Sequence, residues 1–165
     1  MFIFMYTVLS AHKTEQDQII DVQQHLEPST KPIAVQKQNW NNVYVKYTGF
    51  ISKASNTTHI KPQLIVSVIH TETGGEFRVS SAGAIGPMQI KPTTARIEHV
   101  NAWNSQQNIM GGTKYLQYLI VKYHGDIKKA LEAYNCGPTR VDKGNIPRSS
   151  VTYASNIIKF MNNLT

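Results

Sequence analysis

The sequence predicts a mainly α-helical domain with one small irregular β region. Three observations carry that expectation. Apolar residues recur at helical spacing in several separate segments. Gly, Pro or Asn-rich breakers bound those segments. The stretch from Phe77 to Ile90 is apolar too, but it contains Gly83, Gly86 and Pro87 and is too interrupted for a helix.

The elements follow in order. Residues 1–38 stand apart from the rest. Met1 to Leu9 is an apolar run followed by the small residues Ser10 and Ala11. It reads either as the core of an export signal or as a short apolar segment that packs; the basic residues that normally precede such a signal are missing. From Ala11 to about Gln38 the chain is polar, with Pro28 and Pro32, and reads as a linker. The folded domain is expected over 39–165.

Within it, Val45, Tyr47, Phe50, Ile51 and Ala54 suit one face of a helix over 43–54, ended by Asn56-Thr57-Thr58. Lys61-Pro62 opens a second helix, because proline is tolerated in a first turn. Its ridge Ile65-Val68-Ile69 leads to Glu72, and Gly74-Gly75 stops it. After the hairpin-like excursion over 77–90, Pro92 opens a short helix to about Val100. Asn108 to Tyr123 is amphipathic, with Ile109, Gly112, Leu116 and Ile120 on one face. Ile127 to Asn135 forms another helix, stopped at Gly137-Pro138, and the last runs from about Val151 to Leu164.

The 165 residues suffice for one core. A hydrophobic fraction of 41% excludes intrinsic disorder, and no apolar stretch reaches the roughly 18 residues of a membrane span. The 17 Lys and Arg against 10 Asp and Glu give a net charge of +7, which attracts polyanions without choosing among them. The chain shows neither a Lys/Arg run nor a recognition motif for nucleic acid. Cys136 is the only cysteine, so no intrachain disulfide forms. The six histidines (His12, His25, His59, His70, His99 and His124) lack metal-ligand spacing, so neither a metal nor another cofactor is expected.

Three segments carry chemistry. Glu72 follows an apolar ridge in the last turn of its helix, where partial burial and the negative helix end both favour the protonated carboxyl. Such a group suits a general acid acting on a glycosidic oxygen. In the second segment, Ser80 to Ile90, small residues allow close backbone approach, and Ser80 and Gln89 offer neutral hydrogen bonds. In the third, Ala133 to Pro138, Tyr134 offers a sugar an aromatic face and a hydroxyl near the acid. Taken singly, each also fits a bland reading: a helix-end Glu paired with a Lys, a tight turn, a core tyrosine.

In combination they resemble the soluble lytic transglycosylases of glycoside hydrolase family 23, which share the fold of goose-type lysozyme. The residues are Glu72-Thr73, then Ser80, then Gly83-Ala84-Ile85-Gly86-Pro87-Met88-Gln89-Ile90-Lys91-Pro92-Thr93-Thr94-Ala95, then Ala133-Tyr134-Asn135-Cys136-Gly137-Pro138. The helix Asn108-Ile109-Met110-Gly111-Gly112-Thr113-Lys114-Tyr115-Leu116 matches as well. The resemblance runs from about Tyr47 to about Phe160. It implies a lysozyme-like domain that cleaves the bond between N-acetylmuramic acid and N-acetylglucosamine in peptidoglycan. Glu72 falls on the catalytic acid and base, and Ser80, Met88, Gln89, Tyr134 and Asn135 on the substrate-binding set.

It implies action in the periplasm or cell envelope or from a phage particle, with secretion, conjugation or phage entry machines as partners, and a monomer. A lysozyme-type hydrolase and a wall-binding protein that has lost activity are the alternatives. Three positions depart from the family pattern. Pro87 replaces a Leu, Lys91 stands where many relatives have Met, and Ser149-Ser150 stands where many carry Glu-Thr.

Overall fold

The computed structural model describes residues 42–164, so the expected boundary near 39 and everything before it lie outside the described residues. Among the described residues the chain forms seven helices. They are α1 (Asn42–Thr58), α2 (Pro62–Thr73), α3 (Pro92–Ile97), α4 (Ser105–Lys122), α5 (Ile127–Cys136), α6 (Pro138–Asp142) and α7 (Arg148–Asn162).

The buried stripe of α1 is Val43, Tyr47, Ile51 and Ala54. Val45, expected on that stripe, is 73% exposed. It lies two residues from both Val43 and Tyr47, about 200° around the helix, so it must face the opposite way. The helix also continues through Thr58, past the expected stop. Thr57 and Thr58 return their hydroxyls to the carbonyls of Lys53 and Ala54, each at 2.8 Å, and so stay helical.

α2 is the central element. Leu64, Ile65, Val66, Val68 and Ile69 are all buried, so the helix is apolar around most of its circumference. Such a helix needs neighbours on several sides. It packs against α1 on one side and α7 on the other. Contacts α1–α4, α4–α5 and α5–α7 complete a ring of five helices around the core. Gly74 ends α2 in the left-handed conformation, donating its N–H to the His70 carbonyl at 2.9 Å.

Between α2 and α3 the expected β region is reduced to two isolated antiparallel bridges, Val79 with Ile85 and Ile85 with Ile90. Tight turns fold this loop on itself, and Asn108 pins it to α4. The Asn108 amide donates to the carbonyls of Ile85 and Ala102 at 2.8 and 2.9 Å. Its oxygen accepts from the Met88 N–H at 3.0 Å. Gly86 lies against this amide: a Cβ there would stand 2.4 Å from Asn108 Nδ2, and its φ is +76°. Only glycine meets both conditions.

The other differences are at helix ends, apart from one additional short helix. α3 stops at Ile97, short of Val100. α4 starts three residues before Asn108, because Asn104 caps it by accepting from the Gln107 N–H at 3.0 Å. α7 starts at Arg148. The short α6 was not expected. Gly137, at φ +88°, ends α5 and lets Pro138 act as the first residue of a new helix.

Candidate active site

A cleft of about 490 Å³ opens between the 80–91 loop and helices α3, α4 and α5. Glu72, Ser80, Gln89, Lys91, Tyr134 and Asn135 line it, together with Thr93, Thr94, Tyr115 and Cys136. Among the described residues, Glu72 is the only carboxylate that lines it.

Glu72 enters from the last turn of α2. Tyr153, in the second turn of α7, donates its hydroxyl to Glu72 Oε1 at 2.6 Å. Burial is the main influence on this carboxyl. It outweighs the Tyr153 hydrogen bond and the positive charge of Arg78, both of which favour ionisation, and pushes the pKa to about 7. Glu72 therefore stands near half-protonation at neutral pH. Glu76, the nearest acid in sequence, is 76% exposed in its side chain and pairs with Lys46 at 3.5 Å, away from the cleft.

Tyr134 sits beside the acid, close enough for the Glu72 charge to add to the burial that raises its own pKa. Its hydroxyl is directed to the loop and not to the carboxylate. It donates to the Met88 carbonyl at 2.9 Å. The reason is packing: the ring is held against Tyr115, centroids 5.5 Å apart, and its hydroxyl passes over Gly112. A Cβ at Gly112 would lie 3.0 Å from that oxygen and 2.7 Å from Met88 Sδ, so glycine admits the tyrosine to this position.

Met88 requires a correction. Its side chain is 0% exposed and belongs to the core, where its sulfur accepts from Thr113 Oγ1 at 3.6 Å. It cannot touch a sugar. Its contribution to the site is the carbonyl that Tyr134 holds. The apolar side chain faces inward because the Met88 N–H is tied to Asn108 on the core side of the loop.

Ser80 and Gln89 both reach the cleft while organising the loop. Ser80 Oγ accepts from the Ala84 N–H at 3.0 Å. Gln89 Nε2 donates to the carbonyls of Arg78 and Gly86 at 3.0 and 2.9 Å, and its backbone is left-handed at φ +49°. That leaves the carboxamide oxygen of Gln89 without a partner among the described residues. Asn135 is exposed at the rim, with Oδ1 accepting from the buried Ser150 at 2.8 Å. The serine pair that departs from the family pattern thus supplies a hydroxyl that orients Asn135. Lys91, the other departure, donates to the Ala82 carbonyl and ties the loop to the start of α3. Cys136 lines the cleft without any histidine among its neighbours there.

Tyr153 is the site residue that sequence reasoning missed. It lies 81 residues from Glu72, and no local pattern marks it. Its spacing from the buried Ala154 and Ile157 gives only its place on the inner half of α7.

Residues 49–157 match the family model of the transglycosylase SLT domain. A transglycosylase of Enterobacteria phage PRD1 is 36% identical over 114 residues, covering 68% of this chain and 42% of that protein. The endo-type membrane-bound lytic murein transglycosylase A of Cronobacter sakazakii is 35% identical over 94 residues, covering 49% of this chain and 44% of that protein. The chain thus spans less than half the length of these relatives. Among solved structures, the 70 kDa soluble lytic transglycosylase of Escherichia coli superposes with a TM-score of 0.62 at 24% identity, over 72% of this chain and 24% of that one. An inactive mutant of lytic transglycosylase Slt from Pseudomonas aeruginosa gives 0.61 at 18% identity, over 90% of this chain and 28% of that one. At such identities the structures establish the fold alone, a lysozyme-like arrangement of helices. The family match covers most of the described chain, including Glu72, the loop and both cleft tyrosines, and on that match the chain belongs to the transglycosylase SLT domain family.

Proposed function

We propose that this domain cuts the glycan strands of bacterial peptidoglycan as a lytic transglycosylase, with Glu72 as acid and then base. One observation carries the reading: a lone carboxyl in the cleft, held at a pKa of about 7 by burial and oriented by Tyr153. A two-carboxylate glycosidase needs a second acid facing the bond. Among the described residues the cleft lining supplies none.

A single group suffices if the substrate provides the rest. Glu72 gives its proton to the oxygen linking C1 of N-acetylmuramic acid to C4 of N-acetylglucosamine, and the C1–O4 bond breaks. The substrate's own N-acetyl group stabilises the cation that develops at C1. The ionised Glu72 then removes the proton of the muramic C6 hydroxyl, and O6 bonds to C1. The product is a 1,6-anhydro sugar, water is not consumed, and Glu72 recovers its proton. Ser80, Gln89, Tyr134 and Asn135 position the sugars around it. The resting pKa near 7 lets the same group act in both directions with little driving force lost.

The family supports a place of action in the cell envelope, where peptidoglycan lies. The phage relative supports a phage particle as the other setting. Among the described residues no helix is long and apolar enough to cross a membrane. Mass spectrometry of purified sacculi after digestion tests the chemistry. Anhydro-muropeptides are expected, and their loss in Glu72→Gln. Products with ordinary reducing ends would replace this reading with lysozyme-type hydrolysis. Sacculi bound but uncut would leave only a binding role.

A further inference from the structure

A separate cavity of about 470 Å³ lies on the seam between α2 and α7. Its lining is His70 and Thr71 from α2, with Asn156, Lys159, Phe160 and Asn163 from α7 and its end. None of these residues lines the cleft. His70 and Glu72 are two residues apart on α2, about 200° around the helix, so one faces this cavity and the other the cleft. Along α7 the four positions stand at i, i+3, i+4 and i+7 and form one stripe.

The lining combines a flat aromatic surface with unpaired polar groups. The rings of His70 and Phe160 are nearly parallel, inclined by 8° with centroids 4.1 Å apart, and both residues are half-buried. Stacking and burial hold the pair rigid. Beside it stand the Thr71 hydroxyl and the carboxamides of Asn156 and Asn163, none with a hydrogen-bond partner among the described residues. Lys159 is exposed and has no ion-pair partner among the described residues.

We infer that this groove is an accessory site for a second glycan strand. The inference rests on peptidoglycan being the substrate. A sugar ring presents a face of C–H groups and a rim of hydroxyl and acetamido groups. The aromatic pair meets the face, and two carboxamides, a hydroxyl and an ammonium meet the rim. The volume lies within the range of about 300–1,000 Å³ that small-ligand sites occupy. A polyanion asks instead for several cations, and here one lysine stands beside three neutral polar groups. The groove and the cleft take side chains from opposite sides of α2, so the strand held is a neighbour of the strand cut. Holding it keeps the cleft at a high effective concentration near the wall between cuts.

The test uses the intact protein carrying Glu72→Gln, titrated with a soluble, peptide-free glycan of four alternating sugars and followed by NMR. Two sets of shifts are expected, one at Gln89 and Asn135 and the other at Thr71, Asn156 and Asn163, saturating separately. Asn156→Ala with Asn163→Ala, both at exposed positions, should remove the second set and weaken cosedimentation with sacculi about three- to tenfold. Shifts confined to the cleft, or sacculus binding that the double substitution leaves unchanged, overturn the proposal. A groove that responds to polyphosphate and not to the glycan overturns it as well. Wild-type protein that leaves sacculi uncut, while the groove still responds to the glycan, would instead sink the lytic reading and leave this one standing.

Discussion

The proton that Glu72 keeps at neutral pH is the central quantity at the scale of single residues. Desolvation favours the neutral acid, and the Tyr153 hydrogen bond and Arg78 oppose it. Removing the carboxyl by Glu72→Gln should lower kcat at least about a thousandfold, as loss of an acid and base in one group does, with an unchanged circular dichroism spectrum. Tyr153→Phe tests the opposing term. The hydroxyl stabilises the ionised form, so its loss raises the Glu72 pKa further. In wild type, kcat/KM should fall as pH rises through about 7. In Tyr153→Phe that limb should move to higher pH, with a reduced plateau. An unmoved limb would show that the tyrosine does not act through this carboxyl.

Among elements, the loop between α2 and α3 is folded by its own backbone hydrogen bonds and fastened to α4 by Asn108. All three hydrogen bonds of that side chain are buried, and two of them reach the loop at Ile85 and Met88. Asn108→Ala leaves the Ala102 carbonyl and the Met88 N–H without partners, and the Ile85 carbonyl with the Ile90 N–H alone. A loss of about 2–4 kcal/mol in unfolding free energy is expected from denaturant titration. Activity should fall even where the domain stays folded, because Ser80 and Gln89 hang on the same loop. Gly86→Ala should mimic this from the other side by driving a methyl into the Asn108 amide. A variant that matched wild-type stability would show that the loop holds itself.

For the whole molecule, the same carboxyl links the proposed catalysis to stability. Its folded pKa of about 7 exceeds the ordinary 4.5, so the folded state binds this proton more tightly than the unfolded chain. The contribution is fully present below about pH 4.5 and is lost as pH rises through about 7. Glu72→Gln removes that loss. The variant is expected to be more stable than wild type at pH 8 by on the order of 1–3 kcal/mol, discounted for partial solvent access, and to approach it at pH 4.5. Thermal melts at the two pH values measure this, and a variant destabilised equally at both would contradict the assigned burial. The closed ring of five helices makes such a cost tolerable, because α2 is packed on several sides and carries the acid at its end.

Local order along the chain was readable from residues alone. Apolar spacing and breakers located six of the seven helices among the described residues, with errors at ends where a cap or a threonine hydroxyl decides the last turn. The position of Glu72 at the close of α2 was equally legible, because periodicity and Gly74 are neighbours in sequence. Packing alone decided which groups meet. It gave Glu72 a partner from α7, turned the Tyr134 hydroxyl to Met88, buried the Met88 side chain, and set Ser150 under Asn135. These contacts join residues up to 81 positions apart. Backbone conformation responds to neighbours a few residues away, whereas a side-chain hydrogen bond across the core depends on how whole helices seat against one another, which no short stretch of sequence encodes.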